Sequence, residues 1–115
     1  MKFPKKVKVL GEDWKIKVID YDDDDSMDEE TGGYCDAYTR TITIRNYAQE
    51  DMQKDRVEAV MKHILRHELV HAFLGESGLW SNSLDTENWA VNEEMVDWCA
   101  KNIPKIAEAY RVCGV

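Results

Sequence analysis

Between Phe3 and Asp20, apolar residues alternate with lysines: Val7 and Val9, then Trp14, Ile16 and Val18, separated by Lys6, Lys8, Lys15 and Lys17. A period of two puts one set of side chains on each face of a strand, so this stretch predicts a hairpin turning at Gly11, with lysines on the wet face. Lysines there also oppose edge-to-edge aggregation. The run Tyr34–Arg45 is rich in β-branched and aromatic residues, with Ile42 and Ile44 alternating against Thr41, Thr43 and Arg45, and predicts one or two further strands. After Asn46 the period changes. Val57, Val60, Met61, Ile64, Leu65, Leu69, Ala72 and Phe73 follow three-and-four spacing, which predicts a core-facing helix from near Asp51 to a left-handed cap at Gly75. A loop through Gly78 and Ser81–Ser83 follows, then a second helix over Trp89–Ala100. Pro104 ends that helix or opens a third, and Ile106–Val112 makes a short helix before Gly114.

Strands followed by helices in 115 residues point to an α+β fold. The expected architecture is one domain, residues 1–115, with an N-terminal antiparallel sheet of three or four strands packed on two helices. A hydrophobic share of 43% beside 33% charged residues is ordinary for a soluble chain, and no apolar run approaches the roughly 20 residues of a membrane span. The first ten residues lack the continuous apolar centre of a secretory signal. Cys35, Cys99 and Cys113 are an odd number, which fits reduced thiols, and the expectation is a cytoplasmic protein.

The net charge of −8 is matched by eight acids clustered at Asp20, Asp22–Asp25 and Asp28–Glu30. With like charges together and Gly32-Gly33 at its end, the Asp20–Gly33 segment is expected to be a mobile surface loop. Asp20, Asp22 and Asp24 imitate the start of a calcium loop, but the sixth position is Asp25 instead of glycine and the twelfth is Thr31 instead of glutamate. No basic stripe offers itself to a phosphate backbone, so nucleic-acid binding is not expected.

The chemistry concentrates in Arg66-His67-Glu68-Leu69-Val70-His71. Four helical residues make nearly one turn, so His67 and His71 share a face, while Glu68 points about a hundred degrees away from His67. Two neutral imidazoles suit zinc, and a carboxylate left outside the ligand set can take a proton from a zinc-activated water. His63 continues the four-residue spacing, but three such positions span about 12 Å, too far for one ion. His63 is therefore read as a polar packing residue or a pH-sensitive neighbour. A third ligand is needed, and the candidates downstream are Glu76, Asp85, Glu87, Glu93, Glu94 and Asp97. Glu93 and Asp97 share one face of the second helix, the first placed to ligate and the second to accept the spare N–H of a ligating imidazole.

His67-Glu68-x-x-His71 paired with Asn92-Glu93-x-x-x-Asp97 resembles the gluzincin metallopeptidases. The short chain and the phrases Gly33–Asp36 and Glu94–Trp98 further resemble small metallopeptidases of phages and mobile elements, related to the ImmA/IrrE type. The resemblance covers residues 33 to 105. It implies a zincin-like domain, Zn2+ held by His67, His71 and Glu93, Glu68 as general base, Asp97 steadying a histidine, and hydrolysis of a protein or peptide substrate. The alternative is a zinc-stabilised interaction module without turnover. Such peptidases also carry a donor for the developing oxyanion. Tyr34, Tyr38, Tyr47 and Tyr110 are candidates, and the sequence singles out none of them. Cys35 reads as a buried strand cysteine rather than an inhibitory thiolate, and the Thr41–Arg45 strand is a candidate to pair with an extended substrate.

Overall fold

The computed structural model describes residues 2–82 and 92–114. Four strands, β1 (Lys6–Val9), β2 (Glu12–Ile19), β3 (Gly33–Asp36) and β4 (Thr41–Arg45), form one sheet in the order β1-β2-β4-β3. The predicted hairpin is β1–β2, with Val7 opposite Trp14. Its two-residue turn uses Leu10 (φ 50°) and Gly11 (φ 86°), both left-handed, the backbone twist that suits tight antiparallel turns.

The sheet is mixed, which corrects the antiparallel expectation. β4 runs parallel to β2, with Ile16 opposite Ile42 and Val18 opposite Ile44, while β3 pairs antiparallel with β4. Apolar alternation determines which side chains share a face but carries no information about which strand lies next to which. The parallel pair is possible because the acidic segment and β3 return the chain to the starting end of the sheet before β4 begins.

Three helices follow among the described residues: α1 (Lys54–Glu76), α2 (Leu79–Asn82) and α3 (Glu93–Cys113). Helix α1 runs through Gly75 instead of ending there, and the left-handed glycine is Gly78 (φ 88°). Gly75 serves close approach instead, because a Cβ there would stand 3.1 Å from the Trp80 ring. Helix α3 starts at an Asn92 cap whose side chain accepts from the Met95 N–H at 2.9 Å. It continues through Pro104, so the expected break there is absent, and Gly114 (φ 73°) closes it. The predicted start of this helix at Trp89 falls partly outside the described residues. None of the described helices is long and apolar enough to cross a membrane.

One face of the sheet carries the core. Val9, Trp14, Ile42 and Ile44 are fully buried and pack with Ile16, Met61 and Ala72, supported by Val57, Ile64, Leu65 and Leu69 of α1. The opposite face of β4 is also covered, by the acidic segment, where Met27, Thr43 and Arg45 are all buried. Arg45 organises this layer. Its guanidinium bonds both oxygens of Glu50 at 2.8 and 2.6 Å, donates to the carbonyls of Glu29 and Thr31, and lies 4.3 Å from the Tyr21 ring centre. The Tyr34 hydroxyl donates to Asp24, while Asp24 and Asp28 also accept from backbone N–H groups of their own turns. The segment is thus tied to the sheet at several points, and its carboxylates form no metal-holding cluster among the described residues.

Two expectations follow. Gly33 has no room for a side chain, since a Cβ would lie 2.8 Å from the Thr43 carbonyl and 2.9 Å from Ile64. Gly33→Ala should therefore destabilise the fold by about 2 kcal/mol, read as a lowered midpoint in denaturant titration. The hydrogen bond from Arg45 holds Glu50 below its ordinary value of 4.5 against the opposing effect of burial. A lowered native pKa means that this contribution is complete above pH 4.5 and is lost as pH falls through the native value. The stability advantage of the parent over Glu50→Gln should accordingly shrink on acidification below that pH, as followed by denaturant midpoints across the acid range.

Candidate metal centre

The centre lies where α1, which also packs on β3, is covered by α3. Successive turns of α1 meet successive turns of α3 in reverse order: His71 faces Glu93, and His67 and His63 both face Asp97. The helices are therefore antiparallel at this contact. His71 Nε2 is 2.9 Å from Glu93 Oε1, and His67 Nε2 is 3.2 Å from Glu93 Oε2. One nitrogen from each imidazole and one Glu93 oxygen lie within 4.8 Å of one another, a group that can hold a metal ion.

The donor set fits such an ion. Ligands about 2 Å from a tetrahedral centre stand roughly 3.3 Å apart, close to the observed nitrogen–oxygen separations. The hydrogen bonding points the same way. His67 stands between two carboxylates, with Nδ1 3.2 Å from Asp97 Oδ1 and Nε2 3.2 Å from Glu93 Oε2. With the proton on Nδ1 and donated to Asp97, the neutral ring turns the Nε2 lone pair toward Glu93, an arrangement that a cation between them would satisfy. Burial pushes the His71 pKa below its ordinary 6.5, opposed by the charge of Glu93, which favours the neutral ligating form. For Asp97, burial opposes ionisation, but the hydrogen bond from His67 and the positive fields of His63 and Lys101 outweigh it and keep the carboxyl below its usual range.

Glu68 stands apart from this group. It is 6% exposed, packed so closely on β3 that its Cγ would lie 3.4 Å from a Cβ on Gly33. Burial is the largest influence on it and pushes its pKa up to about 7, aided by the charge of Glu93 and opposed by His67. A cation at the cluster would act in the opposite direction. Cys35 of β3 is half-buried, and burial, with the nearby charges of Glu68, Asp36 and Glu93, pushes its thiol up to about 12. It behaves as a protonated packing residue and is not part of the cluster.

Among the other ligand candidates, Glu76 accepts from the Trp14 indole and from Arg40, at 2.9 and 2.6 Å, and Glu94 is exposed. Asp85 and Glu87 lie outside the described residues. The tyrosines supply no donor to the cluster: Tyr34 is engaged by Asp24, Tyr47 lies against Arg45, and Tyr38 is fully exposed at the β3–β4 turn. Tyr110 is exposed, about 20 Å along α3 from Asp97. The Thr41–Arg45 strand, expected to pair with a substrate, is flanked by β2 and β3, so the strand with a free edge beside the site is β3. Trp80 is the neighbour that sequence reading left unassigned. Its ring stands edge-on to His71, with centroids 6.1 Å apart, and no pattern around it signals that contact.

No protein-family profile, curated protein or solved structure matches this chain.

Titration with Zn2+ or Co2+ should show one bound equivalent. His67→Ala, His71→Ala and Glu93→Ala should each weaken binding by more than about 100-fold, and Asp97→Ala by about 10–100-fold. Unchanged affinity in Glu93→Ala would remove that residue from the site.

Proposed function

We propose that this chain is a zinc-dependent peptidase of the gluzincin type, resembling the small enzymes of phages and mobile elements, with a zincin-like domain and a narrow substrate range. His67, His71 and Glu93 hold the ion, Asp97 orients His67, and Glu68 is the general base. The observation that carries this reading is the placement of Glu68, a buried carboxylate beside the converged ligands yet outside their set. A purely structural site has no use for a base there and commonly closes with four protein ligands, whereas the three found among the described residues leave a position for chemistry. Zinc, when bound, supplies Lewis-acid chemistry: it polarises a carbonyl and makes water acidic enough to lose a proton near neutrality.

The chain's own residues do the rest. Glu68, dry on its β3 side, accepts the proton from the attacking water and passes it to the departing amine, and its proximity to His67 and Glu93 places it for both transfers. The free edge of β3 offers backbone N–H and C=O groups to an extended peptide. Specificity then rests on what lies along that edge, where Tyr34, Cys35, Asp36, Ala37 and Trp80 line a shallow groove of about 710 Å³.

A second reading, a zinc-stabilised interaction module, is favoured by one observation: none of the four tyrosines weighed as oxyanion donors is placed to serve. The two readings separate on Glu68→Gln. For a peptidase, this variant keeps zinc stoichiometry and fold but loses at least about 100-fold in cleavage rate, read as new peptide termini in a zinc-loaded digest of host or element proteins. Termini that appear equally with parent and variant, or with neither, favour the module.

A further inference from the structure

We infer that the C-terminal half of α3 is a self-pairing surface, on which a second copy of this chain lays its own α3 antiparallel to form a two-fold dimer. Cys99, Ile103, Ile106, Tyr110 and Cys113 recur at alternating spacings of four and three, which sets them in one seam along the helix and suits a straight helix as partner. The charged residues of the same stretch, Lys101, Lys105, Glu108 and Arg111, all lie off that seam. The first half of α3 packs on α1, with Val96 and Ala100 buried. Beyond it the seam is open among the described residues: Ile103 is 50% and Tyr110 58% exposed. At its start the seam joins a groove of about 480 Å³ between α1 and α3, lined by Leu69, Phe73, Met95 and Cys99 among others. Glu93 and Asp97 face α1 on another side of the helix, so the inference does not depend on the metal-centre reading.

Charge, shape and size make the occupant a second copy. The charges of α3 are polarised, with Glu93, Glu94 and Asp97 in its first turns and then Lys101, Lys105 and Arg111 against the single acid Glu108. An antiparallel helix of the same polarity sets the basic half of each copy beside the acidic half of the other, and opposed helix dipoles add to that preference. The seam is also complementary to itself. With the two-fold axis between Pro104 and Lys105, Ile103 meets the partner's Ile106, and the small Cys99 meets the partner's large Tyr110. Each layer then occurs twice, as an isologous contact requires. No charged side chain of α3 enters this seam, so pairing leaves them all in water. The 15 residues from Cys99 to Cys113 span about 22 Å of helix. Pairing over that length, with the exposed Phe73 at the groove wall, buries on the order of 1,000 Å² in total, the lower end of specific interfaces and enough for a reversible dimer.

Sedimentation equilibrium of the full chain from about 1 μM to about 1 mM tests this, and a monomer–dimer equilibrium with a dissociation constant on the order of 10–100 μM is expected. Ile103→Asp and Tyr110→Asp, both at positions exposed in the monomer, should each weaken dimerisation by at least about 100-fold, because a two-fold contact meets every substitution twice and buries a carboxylate each time. Circular dichroism should show the parent's helix content in both. The register is read with Tyr110→Cys in a Cys35→Ala/Cys113→Ala background, where the new thiol should oxidise to Cys99 of the partner subunit; the two positions are too far apart along one helix to bond within a chain. Lys101→Cys in the same background, on the outer face, is the control. A chain that stays monomeric to about 1 mM, or a dimer that survives both aspartate substitutions, overturns the inference. A Tyr110→Cys cross-link no faster than the control overturns it too. If the chain stays monomeric and Ile103→Asp abolishes its adsorption to phosphatidylglycerol vesicles, a membrane surface is the occupant and the dimer is overturned.

Discussion

How closely α1 can approach the edge of the sheet governs this protein's site. Gly32 and Gly33 have no side chains where Ile64 and Glu68 come down, and a Cβ at either position would meet atoms closer than 3 Å. That approach removes Glu68 from water while leaving His67 and His71 one step round the helix, on the side that α3 covers. The carboxylate and the imidazoles are neighbours in sequence but occupy different environments: Glu68 is 6% exposed against a strand, whereas the histidines face another helix. The proposed roles of general base and ligand set require that division, since the ligands must converge on one point and the base must stay out of the set.

A second set of charges secures the scaffold. Arg45, at the end of β4 and almost fully buried, is neutralised by Glu50 and roofed by Tyr21 and Tyr47, and it draws two carbonyls of the acidic segment onto the sheet. Burying a guanidinium is tolerable only when its donors are satisfied, so this network fixes where the segment runs before β3 begins. At the other end of α1, Glu76 receives both Arg40 and the indole of core residue Trp14. The two ends of α1's seat on the sheet are thereby held by arginine–glutamate contacts, and the α1 residues of the candidate metal centre lie between them.

Much of this was legible along the chain. The hairpin, the helix over residues 54–76 and the His67-Glu68-x-x-His71 placement follow from periods of two and 3.6, because periodicity is a direct consequence of strand and helix geometry. The pairing of Glu93 and Asp97 on one helical face was legible for the same reason. The parallel β2–β4 pair was not, since register and neighbour choice depend on how the intervening chain crosses the sheet. The acidic segment misled for a related reason: most of its charges face outward, while Met27, the Asp24 contact with Tyr34 and the backbone carbonyls that bind Arg45 hold it to the sheet, and backbone carbonyls leave no mark in a sequence. Gly75 and Gly78 exchanged roles because a glycine needed for close approach and one needed for a left-handed turn look identical as letters.

The sequence alone determined which side chains share a face and hence which donors were available: two imidazoles, a carboxylate beside the first, and a carboxylate pair on a second helix. These are local consequences of backbone geometry. Tertiary structure decided which donors meet. It brought Glu93 to both imidazoles, set Asp97 between His63 and His67, left the four tyrosines weighed as donors engaged or remote, and made β3 rather than β4 the free edge. Each of those outcomes depends on the crossing of elements far apart in the chain, and such crossings are determined by packing of whole faces, which no short stretch of residues encodes.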